Sequence, residues 1–164
     1  MITHDEAIEF LKRNQPLPAD NILEKYIEKF NEVKDYFLKN PDPACVPLFL
    51  NCFGEGSGFG VYQTIEDLIV GYDDSMVMTH LKDALFSKFS GVRYWCAQIC
   101  ERYEYDELID GLINVYSKGD IDSKCAALTA LSSYDDPRVT AVAKDALRDE
   151  KDDDLLEIAG DMLR

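Results

Sequence analysis

Hydrophobic positions recur every three to four residues through most of this 164-residue chain. That spacing is typical of amphipathic helices, in which residues i, i+3, i+4 and i+7 share one face. Within the segments 72–103, 104–133 and 134–164 the pattern occurs twice, interrupted each time by a short polar or glycine-containing break. The pattern therefore predicts an all-α protein built from short helical pairs, and we expect no strands.

The segment 72–103 illustrates one such pair. Asp74 or Ser75 is expected to cap its first helix, because short polar side chains satisfy the free N–H groups there. We expect the chain to break at Ser90-Gly91. The second helix then carries on one face four residues spaced by four, three and four positions: Val92, Cys96, Ile99 and Tyr103.

An internal repeat accompanies these pairs. Tyr72-Asp73-Asp74 recurs 62 residues later as Tyr134-Asp135-Asp136, and Lys82-Asp83-Ala84-Leu85 recurs at the same offset as Lys144-Asp145-Ala146-Leu147. Tyr105-Asp106-Glu107 lies between the two copies and halves the offset. The repeat unit is therefore about 31 residues long, and a weaker first copy of it begins at Asn40. We expect four units in a single domain 1–164: 40–71, 72–103, 104–133 and 134–164.

Residues 1–39 are also expected to be helical, but they do not share the repeat. Thr3 and Glu6 form a capping-box pattern for a first helix. Asp20 is expected to cap a second, longer helix. The two helices are predicted to cover the apolar side of the first repeat unit, as terminal caps of repeat proteins do.

The block Val92-Arg93-Tyr94-Trp95-Cys96-Ala97-Gln98-Ile99 resembles the second helix of a HEAT repeat. The later units keep the apolar and small positions of that helix, although Asp122 and Leu156 replace its arginine. The resemblance covers about residues 40–164. It implies an α-solenoid of stacked helical pairs, in which the second helices line a concave surface that binds another protein.

The charge is strongly negative. With 32 Asp and Glu against 17 Lys and Arg, the net charge is 17 − 32 = −15. Such a chain repels phosphate backbones and anionic lipids, so we expect neither a nucleic-acid nor a membrane partner but a protein with a basic surface. We find no signal-peptide pattern, no transmembrane run and no C-x-x-C pair among the five cysteines. A cytoplasmic location is therefore expected, and the oligomeric state is left open.

Acidic residues are concentrated where successive first helices begin. Capping and the helix dipole account for one or two carboxylates per helix, at about 0.3–1 kcal/mol each. The surplus carboxylates suggest a partner-binding edge. We add Tyr94, an aromatic residue of a second helix, because tyrosine is enriched where proteins bind one another. The expected partner-binding residues are Asp73, Asp74, Tyr94, Glu104, Asp106, Glu107, Asp110, Asp135 and Asp136.

A glycine-rich stretch precedes the second half of the first unit. It matches neither G-x-G-x-x-G nor the P-loop pattern, and its glutamate would repel a phosphate, so nucleotide binding is not expected. We expect a flexible loop between helices, or a loop that a partner approaches closely. Its residues are Gly54, Glu55, Gly56, Ser57, Gly58, Phe59 and Gly60.

No catalytic residue, metal site or cofactor is predicted. His4 and His80 lie far apart, and Cys96 with Cys100 supplies at most half a zinc site. In size, charge and architecture the chain is similar to small acidic bacterial HEAT proteins that act as immunity proteins or inhibitors of basic toxin domains. The alternatives are a scaffold or adaptor subunit, or a HEAT-like enzyme such as a DNA glycosylase or a bilin lyase.

Overall fold

A computed structural model describes all of residues 1–164, which fold into ten α-helices and no strand. The all-α prediction is therefore confirmed. Two short 3₁₀ helices, Gly58–Gly60 and Asp106–Leu108, lie before the fourth and seventh α-helices. The α-helices are α1 (His4–Arg13), α2 (Asp20–Lys39), α3 (Cys45–Leu50), α4 (Gln63–Ile69), α5 (Asp74–Ala84), α6 (Ser90–Cys100), α7 (Ile109–Lys118), α8 (Ile121–Leu131), α9 (Pro137–Asp149) and α10 (Asp153–Met162).

The last six helices form three hairpins. Short connections, at 85–89, 119–120 and 150–152, join α5 to α6, α7 to α8 and α9 to α10, and the two helices of each hairpin are in contact. The second helices also pack on one another, α6 against α8 and α8 against α10. Among the first helices, α3 packs against α5 and α7 against α9.

Aspartate side chains begin four of these helices. Asp73, Asp120, Asp136 and Asp152 are the N-cap residues of α5, α8, α9 and α10, and each accepts a hydrogen bond from a backbone N–H of the first turn. Each side chain thereby satisfies a donor that the helix leaves free. The cap of α5 lies one residue earlier than the predicted Asp74 or Ser75.

Two local predictions are wrong. Ser90-Gly91 does not break the chain but begins α6, after Phe89 in extended conformation. Asp20 does not cap α2: it is the first residue of that helix, and its carboxylate accepts hydrogen bonds from Ser57 and Gly58 of the glycine-rich stretch instead. For Asp20 the competing partners lie more than 30 positions away, where local sequence patterns do not register them.

Helix α2 packs on α3 through aromatic side chains. Phe30 and Phe37 of α2 are fully buried, and each meets Phe49 of α3 edge to face with ring centroids 5.9 Å apart. They belong to a continuous core of 37 buried residues that runs from Ile2 to Val139. A small second cluster, consisting of Leu128, Ala146, Leu155 and Ala159, attaches α9 and α10 to α8.

Two tyrosines at equivalent repeat positions bond back to the preceding unit. The Tyr72 hydroxyl accepts a hydrogen bond from the backbone N–H of Asp42 (3.2 Å), and the Tyr134 hydroxyl accepts one from the N–H of Tyr105 (3.2 Å). Tyr134 also donates to the carbonyl of Tyr103 (2.9 Å). Each bond spans about one repeat, so these hydroxyls tie successive units together.

All five cysteines are free thiols, and four of them are buried. Burial raises the pKa of Cys45 to about 11 and raises the pKa values of Cys52, Cys96 and Cys100 as well. These thiols therefore behave as small apolar side chains at neutral pH. None of the ten helices combines the length and the apolar character that crossing a lipid bilayer requires.

Candidate functional site

The glycine-rich stretch is held at its centre by Asp20. One carboxylate oxygen of Asp20 accepts hydrogen bonds from the backbone N–H of Ser57 (3.0 Å) and its hydroxyl (3.2 Å), and the other accepts from the N–H of Gly58 (3.1 Å). Gly56 has a φ of 102°, and a Cβ there would lie 2.5 Å from the same carboxylate. Any other residue at position 56 would clash with this carboxylate, so the position requires glycine. Whether the rest of the stretch moves stays a prediction.

Two glycines let the start of this stretch touch α6. A Cβ on Gly91 would lie 2.1 Å from the carbonyl oxygen of Gly54, so the two backbones are in direct contact. The N–H of Gly54 donates to the buried Tyr62 hydroxyl (3.1 Å), and burial raises the pKa of Tyr62 to about 12. The Ser90 hydroxyl donates to Glu55 (3.1 Å). The stretch therefore packs against the beginning of α6 and forms a wall beside it.

A cleft of about 590 Å³ opens between this wall and the first turns of α6 and α8. Its size lies within the range of ligand pockets, about 300–1,000 Å³. Three segments from successive units form the cleft, together with one side chain of α4. The lining residues are Gly54, Glu55, Gly56, Ser57, Gln63, Ser90, Gly91, Tyr94, Trp95, Asp120, Asp122 and Ser123.

Trp95 forms the aromatic side of the cleft. Its ring stacks on the buried Phe53 (5.9 Å between centroids, 22° between planes) and meets Tyr62 edge to face at 5.6 Å. Its indole N–H points to the carbonyl of Gly56 at 3.4 Å. Tyr94 packs against Trp95 at 5.2 Å, and its hydroxyl accepts a hydrogen bond from Gln98. Both rings are half-buried, so they are fixed by packing while part of each faces the cleft.

The electrostatics of the cleft are one-sided. Its lining contains Glu55, Asp120 and Asp122 but no lysine, arginine or histidine. None of the three carboxylates belongs to an ion pair of the structure. Hydrogen bonds from Ser123, foremost from its backbone N–H, lower the pKa of Asp120. Asp120 is therefore ionised at neutral pH.

The acidic residues predicted for partner binding lie elsewhere, where α5, α7 and α9 begin. We call this set, Asp73, Asp74, Glu104, Asp106, Glu107, Asp110, Asp135 and Asp136, the acidic edge. Arg138 joins two of its members, with N–O distances of 2.8 Å to Asp110 and 2.9 Å to Asp136. Asp73 caps α5 and bonds Ser75, which lowers the pKa of Asp73.

The remaining members of the acidic edge have no cationic partner in the structure. Asp74, Glu104, Asp106, Glu107 and Asp135 are exposed and form no ion pair. Burial raises the pKa of Tyr134 to about 12, and the charges of Glu104 and Asp106 nearby add to the rise. The edge therefore carries uncompensated negative charge beside the tyrosine that ties the last two units together.

The structure thus divides the predicted site residues between two surfaces. Tyr94 and the first four residues of the glycine-rich stretch lie together in the cleft, whereas the eight acidic residues lie along the acidic edge. Sequence reasoning missed Asp120 and Asp122 as site residues. The signal available was weak: Asp120 follows Gly119 at a helix start, which indicates a cap and not a cleft.

No group of three or more His, Cys, Asp or Glu side chains is arranged to hold a metal ion. Comparisons with family models, with curated proteins and with solved structures find no match to this chain. The acidic edge and the cleft are therefore the two features from which a function can be inferred.

Proposed function

We propose that this protein is a non-enzymatic binding module that holds a cationic partner protein against its acidic surface. The observation that carries the proposal is the unpaired part of the acidic edge: five exposed carboxylates without a cation, at the beginnings of successive helices. Aligned like charges lower the stability of a fold, and steering a basic partner is a role that compensates for that cost.

The architecture we propose for the module is an α-solenoid of about four HEAT-like pairs behind an N-terminal helical cap. The contacts of α6 with α8, of α8 with α10 and of α7 with α9 support it, as does the repeated tyrosine bond. The first unit departs from the pattern, because α3 and α4 have only six and seven residues and the glycine-rich stretch separates them. A solenoid exposes a large surface for its size, which suits protein binding.

Within this class we propose an inhibitor of the immunity-protein type, which covers the basic active site of a toxin domain in the cytoplasm. This step rests on the resemblance in size, charge and repeat pattern, and the free cysteines are consistent with a reducing compartment. An adaptor subunit of a larger complex is the alternative. The DNA glycosylase alternative gains no support from the cleft, whose lining contains no basic side chain.

The test begins with capture of proteins from the native cells on the immobilised chain at low ionic strength. A captured protein counts only if it is basic, is released by salt, and associates with the purified chain in kinetic measurements. We expect its association rate to fall with salt, because exposed charges act mainly on encounter. Co-expression then separates the alternatives: an inhibitor relieves toxicity of its partner, and an adaptor does not.

A charge-reversed pair of variants locates the surface. Asp106→Lys with Glu107→Lys changes two exposed residues that form no side-chain hydrogen bond, and it is expected to slow association several-fold. Glu24→Lys with Glu28→Lys makes the same change of charge on the exposed face of α2, and we expect it to leave the rate nearly unaltered. Equal rates for the two variants would refute the acidic edge as the binding surface.

A further inference from the structure

The cleft differs from the acidic edge because its charge is combined with a fixed aromatic wall. Glu55 comes from the glycine-rich stretch and Asp120 and Asp122 from the beginning of α8, and Tyr94 and Trp95 of α6 line the same cleft. The beginnings of α6 and α8 also point there, and a helix N-terminus counts as roughly half a positive charge. Two such ends, together with the charge of the nearby Arg93 that acts on Asp120, offset part of the three negative charges, and the cleft stays net negative.

The aromatic wall favours one kind of cation. A guanidinium group is planar, weakly hydrated and able to stack on an indole ring while it donates two parallel hydrogen bonds to a carboxylate. An ammonium group is compact and strongly hydrated, so it loses more on leaving water. Trp95 is held by Phe53 and Tyr62, and part of its half-buried side chain lines the cleft. The combination selects arginine over lysine.

The volume of the cleft is larger than one side chain requires. At about 590 Å³ it has room for an arginine together with neighbouring atoms of the segment that carries it. Ser57, Gln63 and Ser90 supply hydroxyl and amide groups that can bond peptide N–H and C=O groups. The size and these polar groups suit a peptide segment of a protein better than a free ion.

We propose that the cleft is a socket for an arginine side chain presented by the cationic partner. The inference rests on the proposed function in taking the partner to be a basic protein. It adds where one specific side chain binds: its guanidinium group pairs with Asp122 or Glu55 and stacks on Trp95. The acidic edge then attracts the partner, and the socket fixes its position.

Trp95 is the only tryptophan of the chain, so its fluorescence reports on the surroundings of this one side chain, which lines the cleft and also a smaller neighbouring pocket beside Gln98. The probes are a hexa-arginine amide peptide and a hexa-lysine amide peptide, titrated at low ionic strength. Calorimetry measures all binding to the acidic protein, and tryptophan emission measures occupancy of the cleft. We expect both peptides to bind, and the arginine peptide to change the emission in a saturable way with several-fold higher affinity than the lysine peptide.

A matched pair of variants tests the socket. Asp122 and Asp154 are both exposed, both the second residue of a helix, and neither caps that helix; only Asp122 lines the cleft. Asp122→Asn is expected to weaken about fivefold the affinity for the arginine peptide that the emission titration measures, which is the effect of one exposed charge pair. Asp154→Asn should leave it unchanged. Glu55→Gln keeps an acceptor for Ser90 but removes the charge, and we expect the same loss as for Asp122→Asn.

The outcomes separate the two proposals. If the peptides bind by calorimetry while the emission of Trp95 stays constant, or if the Asp122 and Asp154 variants titrate alike, the socket is refuted and the acidic binding surface stands. Equal affinity for the two peptides in the emission titration also refutes an arginine socket. If neither peptide binds even at low ionic strength, the acidic binding surface and the socket both fail.

Discussion

Among the glycines, Gly91 is the position where an added methyl group would make the closest contact and should therefore lower the stability of the fold. A Cβ at this position would lie 2.1 Å from the carbonyl oxygen of Gly54, a backbone atom that moves only with its whole segment. We expect Gly91→Ala to lower the free energy of unfolding by about 1–3 kcal/mol, the usual range for overpacking. Urea denaturation followed by circular dichroism measures the change.

Gly160 provides the matched control for this substitution. It lies inside α10, and a Cβ there meets no atom within 4 Å. Gly160→Ala should therefore raise the free energy of unfolding by about 0.5–1 kcal/mol, because alanine loses less backbone freedom in a helix. If Gly91→Ala proved as stable as Gly160→Ala, the segment carrying Gly54 would have to yield easily, as expected of a flexible loop.

Single residues show where local patterns predict well and where they do not. The repeat predicts Asp136 at the beginning of a helix, and Asp136 caps α9. Asp20 has the same side chain and an equally suitable position, yet its carboxylate bonds the backbone of residues 57 and 58. An aspartate carboxylate can cap a helix or bond a distant backbone segment with the same chemistry. Which of the two it does depends on tertiary neighbours whose positions the local sequence pattern does not predict.

Among elements, the two tyrosine hydroxyls are expected to contribute measurably to stability. Tyr72→Phe removes the acceptor for the N–H of Asp42, and Tyr134→Phe removes the bonds to Tyr105 and Tyr103. Each substitution should lower the free energy of unfolding by about 1–2 kcal/mol, because it leaves half-buried polar groups without a partner. Thermal or urea unfolding measures both.

Tyr105 occupies the equivalent repeat position, but its hydroxyl forms no hydrogen bond in the structure. Tyr105→Phe should therefore change the stability by less than about 0.5 kcal/mol. A loss at position 105 equal to that at 72 and 134 would mean that ring packing, and not the hydroxyl, carries the effect.

The helices of the second, third and fourth units were predictable because each depends on local periodicity. The 62-residue offset also relates Tyr72 to Tyr134, whose hydroxyls accept hydrogen bonds from backbone N–H groups about 30 residues earlier. The first unit was harder, since α3 and α4 each span fewer than two helical turns and the glycines between them carry no pattern of their own. The position of that segment depends on Asp20 and Gly91, which lie in other elements.

For the whole molecule, the net charge of −15 should make stability depend on salt. Self-repulsion opposes the compact state, and salt screens it. We expect the melting temperature to rise between about 0.01 and 0.3 M sodium chloride, by about 2–4 °C for each 1 kcal/mol gained. The Asp106→Lys, Glu107→Lys variant has a net charge of −15 + 4 = −11 and should show a smaller rise. A melting temperature independent of salt in both proteins would contradict this expectation.

The candidate site was predictable only in pieces. The sequence indicated the glycine-rich stretch, Tyr94 and the acidic residues, and the repeat length indicated which units are neighbours. It did not indicate that segments 54–57, 90–95 and 120–123 converge on one cleft. That convergence requires the stretch to fold back across the start of α6, and a contact between two glycines leaves no hydrophobic pattern in the sequence.

The convergence of three units on one cleft links its occupancy to the cooperativity of the entire fold. A ligand held by residues of successive units binds only while those units are stacked, so it favours the native state over any partly opened one. By mass action, a ligand at one hundred times its dissociation constant adds about 2.7 kcal/mol to the stability. The melting temperature thus becomes a general detector of ligands, because it requires neither a label nor an identified partner, and the Asp122→Asn variant shows which of them occupy the cleft.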